Sequence, residues 1–218
     1  MKAAALPLLD YRVRKPKNSD QSPQILFLLH GYGSHEEDLF GFAEYLPAHF
    51  LIISLRAPLS LPFGGYAWYS INFNETQDKW SDTGEAIEAQ KIILHNIDYH
   101  CKQFGLDNQK VNLLGFSQGA ILSWALGLSH PEKIDRLIAL SGYINEDIFT
   151  FAEKNLSNLR CFTSHGMQDA TLPIAWAQEG IKTLQAHGMN IKLHEYPAGH
   201  GVAPENFSDL LKWLNENP

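Results

Sequence analysis

Ser117 lies at the centre of the pentapeptide GFSQG, which spans residues 115–119. An apolar run, residues 111–114, precedes it, and a helical pattern of small and apolar residues follows it. A strand, a tight turn and a helix in this order are the context of a nucleophile elbow, in which a serine occupies a strained turn between two small residues. The alternative is an ordinary turn in which Ser117 caps the helix N-terminus.

A serine hydroxyl becomes a nucleophile when a base takes its proton and a carboxylate orients that base. His200 is the best placed of the ten histidines, because it lies between a predicted strand and the next helix with a glycine on each side. Asp169 follows another predicted strand and precedes a predicted helix, and its alternative role is that of a turn aspartate. The chain order Ser117, Asp169, His200 is the order of an α/β-hydrolase triad and predicts acyl transfer.

Two backbone N–H groups are candidates for stabilising the oxyanion that forms when a serine attacks a carbonyl group. The residue after the nucleophile, here Gln118, supplies one of them. The second should come from the loop after an earlier strand, and residues 25–33, ILFLLHGYG, lead from a strand into a glycine-rich turn. We therefore predict the N–H of Tyr32 as the second donor, and we interpret His30 as a structural residue that shapes this loop.

Short apolar runs alternate with longer helical patterns along the chain, without a repeat or linker. This alternation predicts an α/β fold with a doubly wound, mostly parallel sheet, helices on both faces and ligands at the carboxyl ends of the strands. The predicted strands are residues 9–13, 25–29, 50–55, 111–114, 137–140, 161–164 and 191–196. The predicted helices are residues 82–104, 117–129, 173–186 and 204–214. We expect one domain, residues 1–218.

Composition excludes several classes of protein. The 17 basic and 24 acidic residues give a formal net charge of −7, which argues against a nucleic-acid partner. No apolar run approaches the roughly 18 residues of a membrane span. The first residues lack the features of a secretion signal, so a cytoplasmic location is expected. The spacing of histidines, cysteines and carboxylates predicts no metal site, and Cys101 and Cys161 are expected to be inert buried thiols.

Several stretches resemble the phospholipase/carboxylesterase family of the α/β-hydrolases, which includes acyl-protein thioesterases: LLHGYGS, RAPLSLPFGGYAWYS, LLGFSQGA, SHGMQDATLP and GHGV. The resemblance implies a serine hydrolase of esters or thioesters that has no large cap domain and uses no cofactor. It assigns the triad to Ser117, Asp169 and His200, and the oxyanion donors to Tyr32 and Gln118. Two departures concern the substrate. The common HGLGD is HGYGS here, and the stretch after RAP is unusually aromatic.

Aromatic residues after the third predicted strand are candidates for substrate binding. About 25 residues without an obvious element separate that strand from the next helix, which is long for a connection in a compact domain. Loops of this length are usually functional or disordered, and disordered segments are poor in aromatic residues. Apolar walls are typical of small-molecule sites. We predict that Trp68, Tyr69 and Phe63 contact substrate, whereas at least half of the loop aromatics pin the loop to the sheet.

The sequence thus predicts a carboxylesterase or lysophospholipase-like enzyme that acts on a small-molecule ester or an acylated substrate. A homodimer is compatible with the sequence. The main alternative is an acyl-protein thioesterase that removes fatty acyl groups from protein cysteines. The remaining alternatives are a peptidase on the same scaffold and a binding protein that has lost its chemistry.

Overall fold

The computed structural model describes residues 6–17, 22–73, 79–107, 109–152 and 156–216. Its strands are β1 (Tyr11–Arg14), β2 (Gln24–Leu29), β3 (Phe50–Leu55), β4 (Leu59–Ser60), β5 (Tyr66–Ala67), β6 (Ile71–Phe73), β7 (Lys79–Ser81), β8 (Val111–Phe116), β9 (Ile134–Leu140), β10 (Arg160–Gly166) and β11 (Leu193–Tyr196). Its α-helices are α1 (Thr83–Gln103), α2 (Gln118–Ser129), α3 (Ile174–Ala186) and α4 (Pro204–Glu216). Short 3₁₀ helices cover Leu39–Phe42, Glu146–Ile148 and Leu156–Asn158.

A seven-stranded sheet in the order β1-β3-β2-β8-β9-β10-β11 forms the centre of the molecule. Neighbouring strands are parallel except at one edge, where β1 runs antiparallel to β3. Apolar side chains of α1, α2 and α3 pack on one face of the sheet, and those of α4 pack on the other. Because both faces are covered, β3 is buried along its whole length. The predicted α/β fold class, a mostly parallel sheet between helices, is confirmed.

Helix boundaries follow the signals in the sequence. The carboxylate of Asp82 accepts the backbone N–H of Glu85 at 2.9 Å and caps α1. The carboxylate of Glu85 accepts the N–H of Ser70 at 2.6 Å, so this helix start also anchors the preceding loop. Gly105 has a φ of +70° after the end of α1, which is the left-handed conformation that ends many helices.

The connection between β3 and α1 differs from the prediction of a loop without elements. Strands β4 and β5 form one antiparallel hairpin, and β6 and β7 form another. Residues 74–78 of this connection lie outside the described ranges. These strands have only two or three residues each, which is too short for an alternating apolar pattern to reveal them.

Other sequence-based expectations concern membranes, metals and thiols. Within the described ranges, no helix has the length and apolar character needed to cross a membrane. Nor do three or more histidine, cysteine, aspartate or glutamate side chains of those ranges form a group that could hold a metal ion. Cys101 and Cys161 are free thiols. Burial raises the pKa of Cys101 to about 11 and raises the pKa of Cys161 still further, so both thiols are weak nucleophiles near neutral pH.

Candidate active site

Loops at the carboxyl ends of four parallel strands carry the residues with predicted chemical roles. Ser117 directly follows β8, and Tyr32 lies in the loop after β2. Asp169 lies in the loop after β10, and His200 in the loop after β11. Since parallel strands end at the same edge of a sheet, residues that are far apart in the chain meet there.

Ser117, His200 and Asp169 form one hydrogen-bonded series. Nε2 of His200 lies 2.9 Å from Oγ of Ser117, and Nδ1 of His200 lies 2.7 Å from Oδ2 of Asp169. The carboxylate accepts the proton on Nδ1, which leaves Nε2 free to accept the serine proton. The arrangement can therefore move a proton from the serine hydroxyl to the imidazole ring.

Hydrogen bonds fix the orientation of the Asp169 carboxylate. Its Oδ1 accepts the backbone N–H groups of Thr171 and Leu172, each at 2.8 Å, while its Oδ2 accepts from His200. Burial of Asp169 favours its protonated form, but the hydrogen bonds from Leu172, His200 and Thr171 outweigh that effect and lower its pKa. The carboxylate is therefore ionised near neutral pH and can stabilise a positively charged imidazolium.

His165 also belongs to this site, although it was missed in the sequence. Its Nε2 lies 2.8 Å from the carbonyl oxygen of Leu172 and 3.3 Å from Oδ2 of Asp169. The ring is fully buried, and its N–H holds in place the loop that carries Asp169. His165 lies inside β10, and a histidine within a strand is usually interpreted as a packing residue. In the sequence, only its spacing of four residues from Asp169 indicates this contact.

The turn that carries Ser117 is strained. Ser117 has φ 52° and ψ −116°, a conformation that costs a residue with a side chain about 1–3 kcal/mol. A Cβ on Gly115 would lie 2.3 Å from the carbonyl oxygen of Gly119, and one on Gly119 would lie 2.0 Å from that of Leu29. Both flanking positions therefore require glycine. Ser117 makes no side-chain capping hydrogen bond, so the alternative of an ordinary helix cap is wrong.

The glycine-rich loop, residues 30–34, is held next to this turn by the hairpin of β4 and β5. The N–H of Gly33 donates to the carbonyl oxygen of Tyr66 at 2.9 Å, and the N–H of Tyr66 donates to that of Ser34 at 2.8 Å. The backbone N–H groups of Tyr32 and Gln118 donate to no residue in the described part of the chain. Neither N–H group is therefore engaged within those residues.

The side chain of Gln118 joins the turn to the same connection between β3 and α1. Its Oε1 accepts the N–H of Trp68 at 2.8 Å, and its Nε2 donates to the carbonyl oxygen of Tyr69 at 2.7 Å. The indole N–H of Trp68 donates to the carbonyl oxygen of His30 at 2.8 Å. Nε2 of His30 in turn accepts the N–H of Ala57 at 3.0 Å. Burial lowers the pKa of His30, so its neutral ring shapes the loop as the sequence suggested.

The three residues predicted to contact substrate have different environments. Tyr69 lines a cavity of about 220 Å³ beside Ser117. Trp68 does not line it, because its side chain is 1% exposed and packs within the core. Phe63 does not line it either, since it is 73% exposed and packs against the ring of Tyr32, with the centroids 6.3 Å apart. The structure brings Tyr69 to the cleft and leaves Trp68 and Phe63 outside it.

Other walls of this cavity were missed in the sequence. Tyr143 comes from the connection after β9, Leu172 from the loop of Asp169, and Trp176 from the first turn of α3. The rings of Tyr143 and Trp176 meet edge to face, with centroids 5.2 Å apart. These residues are scattered through the chain without a shared pattern, so only the fold reveals that they meet.

Comparisons with known proteins identify similar sequences over most of the chain. A family model described as phospholipase/carboxylesterase matches residues 11–217. Acyl-protein thioesterase 1 of Kluyveromyces lactis is 25% identical over 94% of this chain and 96% of that protein. A probable carboxylesterase SOBER1-like of Arabidopsis thaliana is 27% identical over 92% of this chain and 81% of that protein.

Solved structures share the fold. The carboxylesterase of Bacillus cereus superposes with a TM-score of 0.82 at 20% identity, over 95% of this chain and 94% of that one. Esterase PE8 superposes with a TM-score of 0.81 at 24% identity, over 96% of this chain and 99% of that one. The fold is therefore that of the α/β-hydrolases.

Proposed function

The chain belongs to the phospholipase/carboxylesterase family, and we propose that it cleaves carboxylic esters through an acyl-enzyme intermediate on Ser117. It is a hydrolase of esters or thioesters. The observation that carries the proposal is the contact of His200 with Oγ of Ser117 at 2.9 Å on one side and with Oδ2 of Asp169 at 2.7 Å on the other. This is the arrangement that a serine nucleophile requires.

The first half of the reaction acylates the enzyme. Oγ of Ser117 gives its proton to Nε2 of His200 and attacks the ester carbonyl carbon, while the carbonyl oxygen becomes an oxyanion that accepts the N–H groups of Tyr32 and Gln118. Asp169 stabilises the imidazolium that results. The tetrahedral intermediate then collapses, and the departing alkoxide takes the proton from Nε2, which leaves the acyl group on Ser117 and releases the alcohol.

The second half of the reaction regenerates the enzyme with water. His200, neutral again, takes a proton from a water molecule that attacks the acyl-enzyme carbonyl carbon. A second oxyanion forms at the same two N–H groups, and its collapse returns the proton to Oγ of Ser117. The products are a carboxylic acid and an alcohol, and neither a metal nor a cofactor enters the proposed steps.

The size of the apolar cavity favours an ester with a short acyl group. Its volume of about 220 Å³ is smaller than the roughly 300–1,000 Å³ of most small-molecule sites. The alternative, removal of long acyl groups from proteins, is supported by relatives that are named acyl-protein thioesterases. The same steps would then release a thiol in place of an alcohol. Rates on p-nitrophenyl butyrate and on an S-palmitoyl peptide separate the two functions.

Replacement of the proposed nucleophile and base tests the mechanism. We expect Ser117→Ala to lower kcat on p-nitrophenyl butyrate by roughly 10⁴-fold or more, and His200→Ala to be nearly as damaging. The double variant should be no worse than the worse single variant, because the two residues act as one unit. Losses that multiply would contradict a shared mechanism.

Covalent labelling identifies the nucleophile directly. A fluorophosphonate probe should modify the wild type at Ser117 and should not modify Ser117→Ala. Ser129→Ala is the matched control, since this serine is partly exposed and its hydroxyl donates to the carbonyl oxygen of Thr150 at 3.2 Å. Labelling of any residue other than Ser117 would overturn the assignment.

A further inference from the structure

Two cavities meet at Ser117. One is the apolar cavity of about 220 Å³ that includes Tyr69 and Trp176, and the other has a volume of about 290 Å³ and lies along the glycine-rich loop. The residues that line both are Tyr32, Ser117 and His200. These residues carry the proposed oxyanion donor, nucleophile and base. An ester whose carbonyl carbon lies at Ser117 would therefore extend one arm into each cavity.

The second cavity, which we call the polar cleft, is lined by Ser34, His35 and Asp38 in addition to Gly31, Gly33, Phe116 and the three shared residues. Oγ of Ser34 donates to Oδ2 of Asp38 at 2.6 Å, and no described residue donates to Oδ1 of Asp38. Nδ1 of His35 accepts the backbone N–H of Glu37 at 3.3 Å, which leaves Nε2 as the ring nitrogen that can donate to a ligand. The polar cleft thus offers a carboxylate acceptor and an imidazole donor, and the proposed mechanism uses neither.

We propose that the polar cleft binds the leaving group of the substrate and that this leaving group is a hydroxylated alcohol. The inference rests on the proposed function, because it takes Ser117 as the nucleophile. A hydroxyl group can donate to Oδ1 of Asp38 or accept from Nε2–H of His35, and an alcohol with two free hydroxyl groups can do both at once. A plain alkyl alcohol can use neither contact. A quaternary ammonium group could use only the exposed charge of Asp38, which water and salt screen.

The polarity of the two cavities assigns the arms of the substrate. A hydrocarbon chain gains free energy on leaving water only where the walls are apolar, as around Tyr69 and Trp176. Hydroxyl groups placed in that cavity would exchange water for walls that are mostly apolar. The sequence difference at this loop supports the assignment. Ser34 stands where HGLGD has its aspartate, and its hydroxyl orients the carboxylate of Asp38 from four residues away.

Three esters that share one acyl group test the proposal. The rates kcat/KM are measured for glyceryl monobutyrate, ethyl butyrate and butyrylcholine with the wild type, Asp38→Ala and His35→Ala. We expect the wild type to prefer the glyceryl ester over the ethyl ester. That ratio should fall about tenfold in Asp38→Ala, the loss expected for a hydrogen bond to a charged group, and several-fold in His35→Ala.

The ratio of kcat/KM for the glyceryl ester to that for the ethyl ester is the informative quantity. Loss of the Ser34–Asp38 hydrogen bond can disturb the glycine-rich loop and slow the hydrolysis of all three esters alike. His35→Ala leaves that hydrogen bond in place and is therefore the second, independent variant. Asp107→Ala removes an exposed carboxylate distant in the chain from the polar cleft, and it should keep the wild-type ratio.

Each outcome decides a different point. A glyceryl preference that both variants keep, or a wild type without that preference, overturns the proposal. A preference for butyrylcholine that is lost in Asp38→Ala and kept in His35→Ala overturns it in favour of a cationic leaving group. If the wild type hydrolyses none of the three esters, the proposed function itself fails. If it hydrolyses all three at equal rates, only the assignment of the polar cleft fails.

Discussion

The backbone of Ser117 occupies a conformation that glycine adopts far more easily, with φ 52° and ψ −116°. Ser117→Ala removes the hydroxyl but keeps the strain, whereas Ser117→Gly removes both. The relief of about 1–3 kcal/mol is partly offset by the greater entropy of glycine in the unfolded chain, about 0.5–1 kcal/mol.

We therefore expect the free energy of unfolding of Ser117→Gly to be about 1 kcal/mol higher than that of Ser117→Ala, although both variants are inactive. Urea unfolding followed by circular dichroism measures the difference. If Ser117→Ala proves equally stable or more stable, the turn stores no strain that depends on the side chain at this position.

At the scale of single residues, the sequence predicted the groups whose local context is distinctive. Ser117 and His200 are flanked by glycines at strand ends, and that context can be recognised in the sequence. His165 and Trp176 carry no such context, because their importance comes from the three-dimensional neighbours Asp169 and Tyr143. The side chain of Trp68, which the sequence predicted to contact substrate, lies in the core, because composition indicates an aromatic loop but does not tell which rings turn inward.

Among the structural elements, the turn at Ser117 and the connection between β3 and α1 are joined through the amide of Gln118. Gln118→Met would remove both hydrogen bonds and leave the buried N–H of Trp68 and carbonyl of Tyr69 unpaired. We expect a loss of stability of roughly 1–3 kcal/mol for each unpaired group. Because the N–H of Gln118 would also shift from its proposed oxyanion position, kcat on p-nitrophenyl butyrate should fall by about 10–100-fold.

Gln90→Met is the matched control for this prediction. Gln90 is a buried glutamine of α1 whose Nε2 donates to the carbonyl oxygen of Ile148 at 2.8 Å, and it lines neither cavity at Ser117. It should lose a comparable amount of stability and keep its kcat. Equal effects of the two substitutions on kcat would show that the amide of Gln118 serves stability alone.

An ion pair anchors the glycine-rich loop to the end of β3. Nε and Nη2 of Arg56 each donate to the carboxylate of Glu36 at 2.6 Å, and this carboxylate is 1% exposed. The hydrogen bonds from Arg56 lower the pKa of Glu36 from 4.5 to about 2. Since the pKa is lower in the folded state, the pair stabilises the fold above the unfolded pKa, and that contribution disappears as the pH falls toward 2.

We expect Glu36→Gln to be less stable than the wild type by about 2–3 kcal/mol at pH 7. The difference should persist down to about pH 5 and shrink steadily between pH 5 and pH 2. Chemical unfolding of both proteins at several pH values measures it. A difference that does not change with pH would mean that Glu36 acts through packing and not through its charge.

At the scale of the whole molecule, the alternation of strands and helices was sufficient to predict the fold class. The four long helices lie where periodicity placed them, because each has an apolar face that covers the sheet. The two hairpins after β3 could not be predicted, because their strands are too short to show a pattern of their own, and β5 is held by contacts with the glycine-rich loop. The cavities beside Ser117 depend on these same contacts, so the residues that line them could not be predicted either.

The division of the molecule into core and cleft can be tested with two tryptophans. Trp68 is 1% exposed, and Trp68→Ala should cost about 3–5 kcal/mol of stability and slow all esters alike. Trp176 is 44% exposed and, with Tyr143, lines both the apolar cavity and an adjoining groove of about 620 Å³. Trp176→Ala should join the two spaces, cost little stability and admit longer acyl chains.

The profile of kcat/KM over p-nitrophenyl esters from acetate to decanoate distinguishes these effects. Each additional methylene that enters the enlarged space is worth about 0.8 kcal/mol, or roughly fourfold in rate, so the optimum of Trp176→Ala should move to longer chains. The optimum of Trp68→Ala should stay at the wild-type length, because a loosened core changes the whole site and not one end of the acyl cavity. A shift of the optimal chain length in Trp68→Ala would indicate that Trp68 contacts the acyl group after all. An unchanged optimal chain length in Trp176→Ala would mean that another residue forms the end of the acyl cavity.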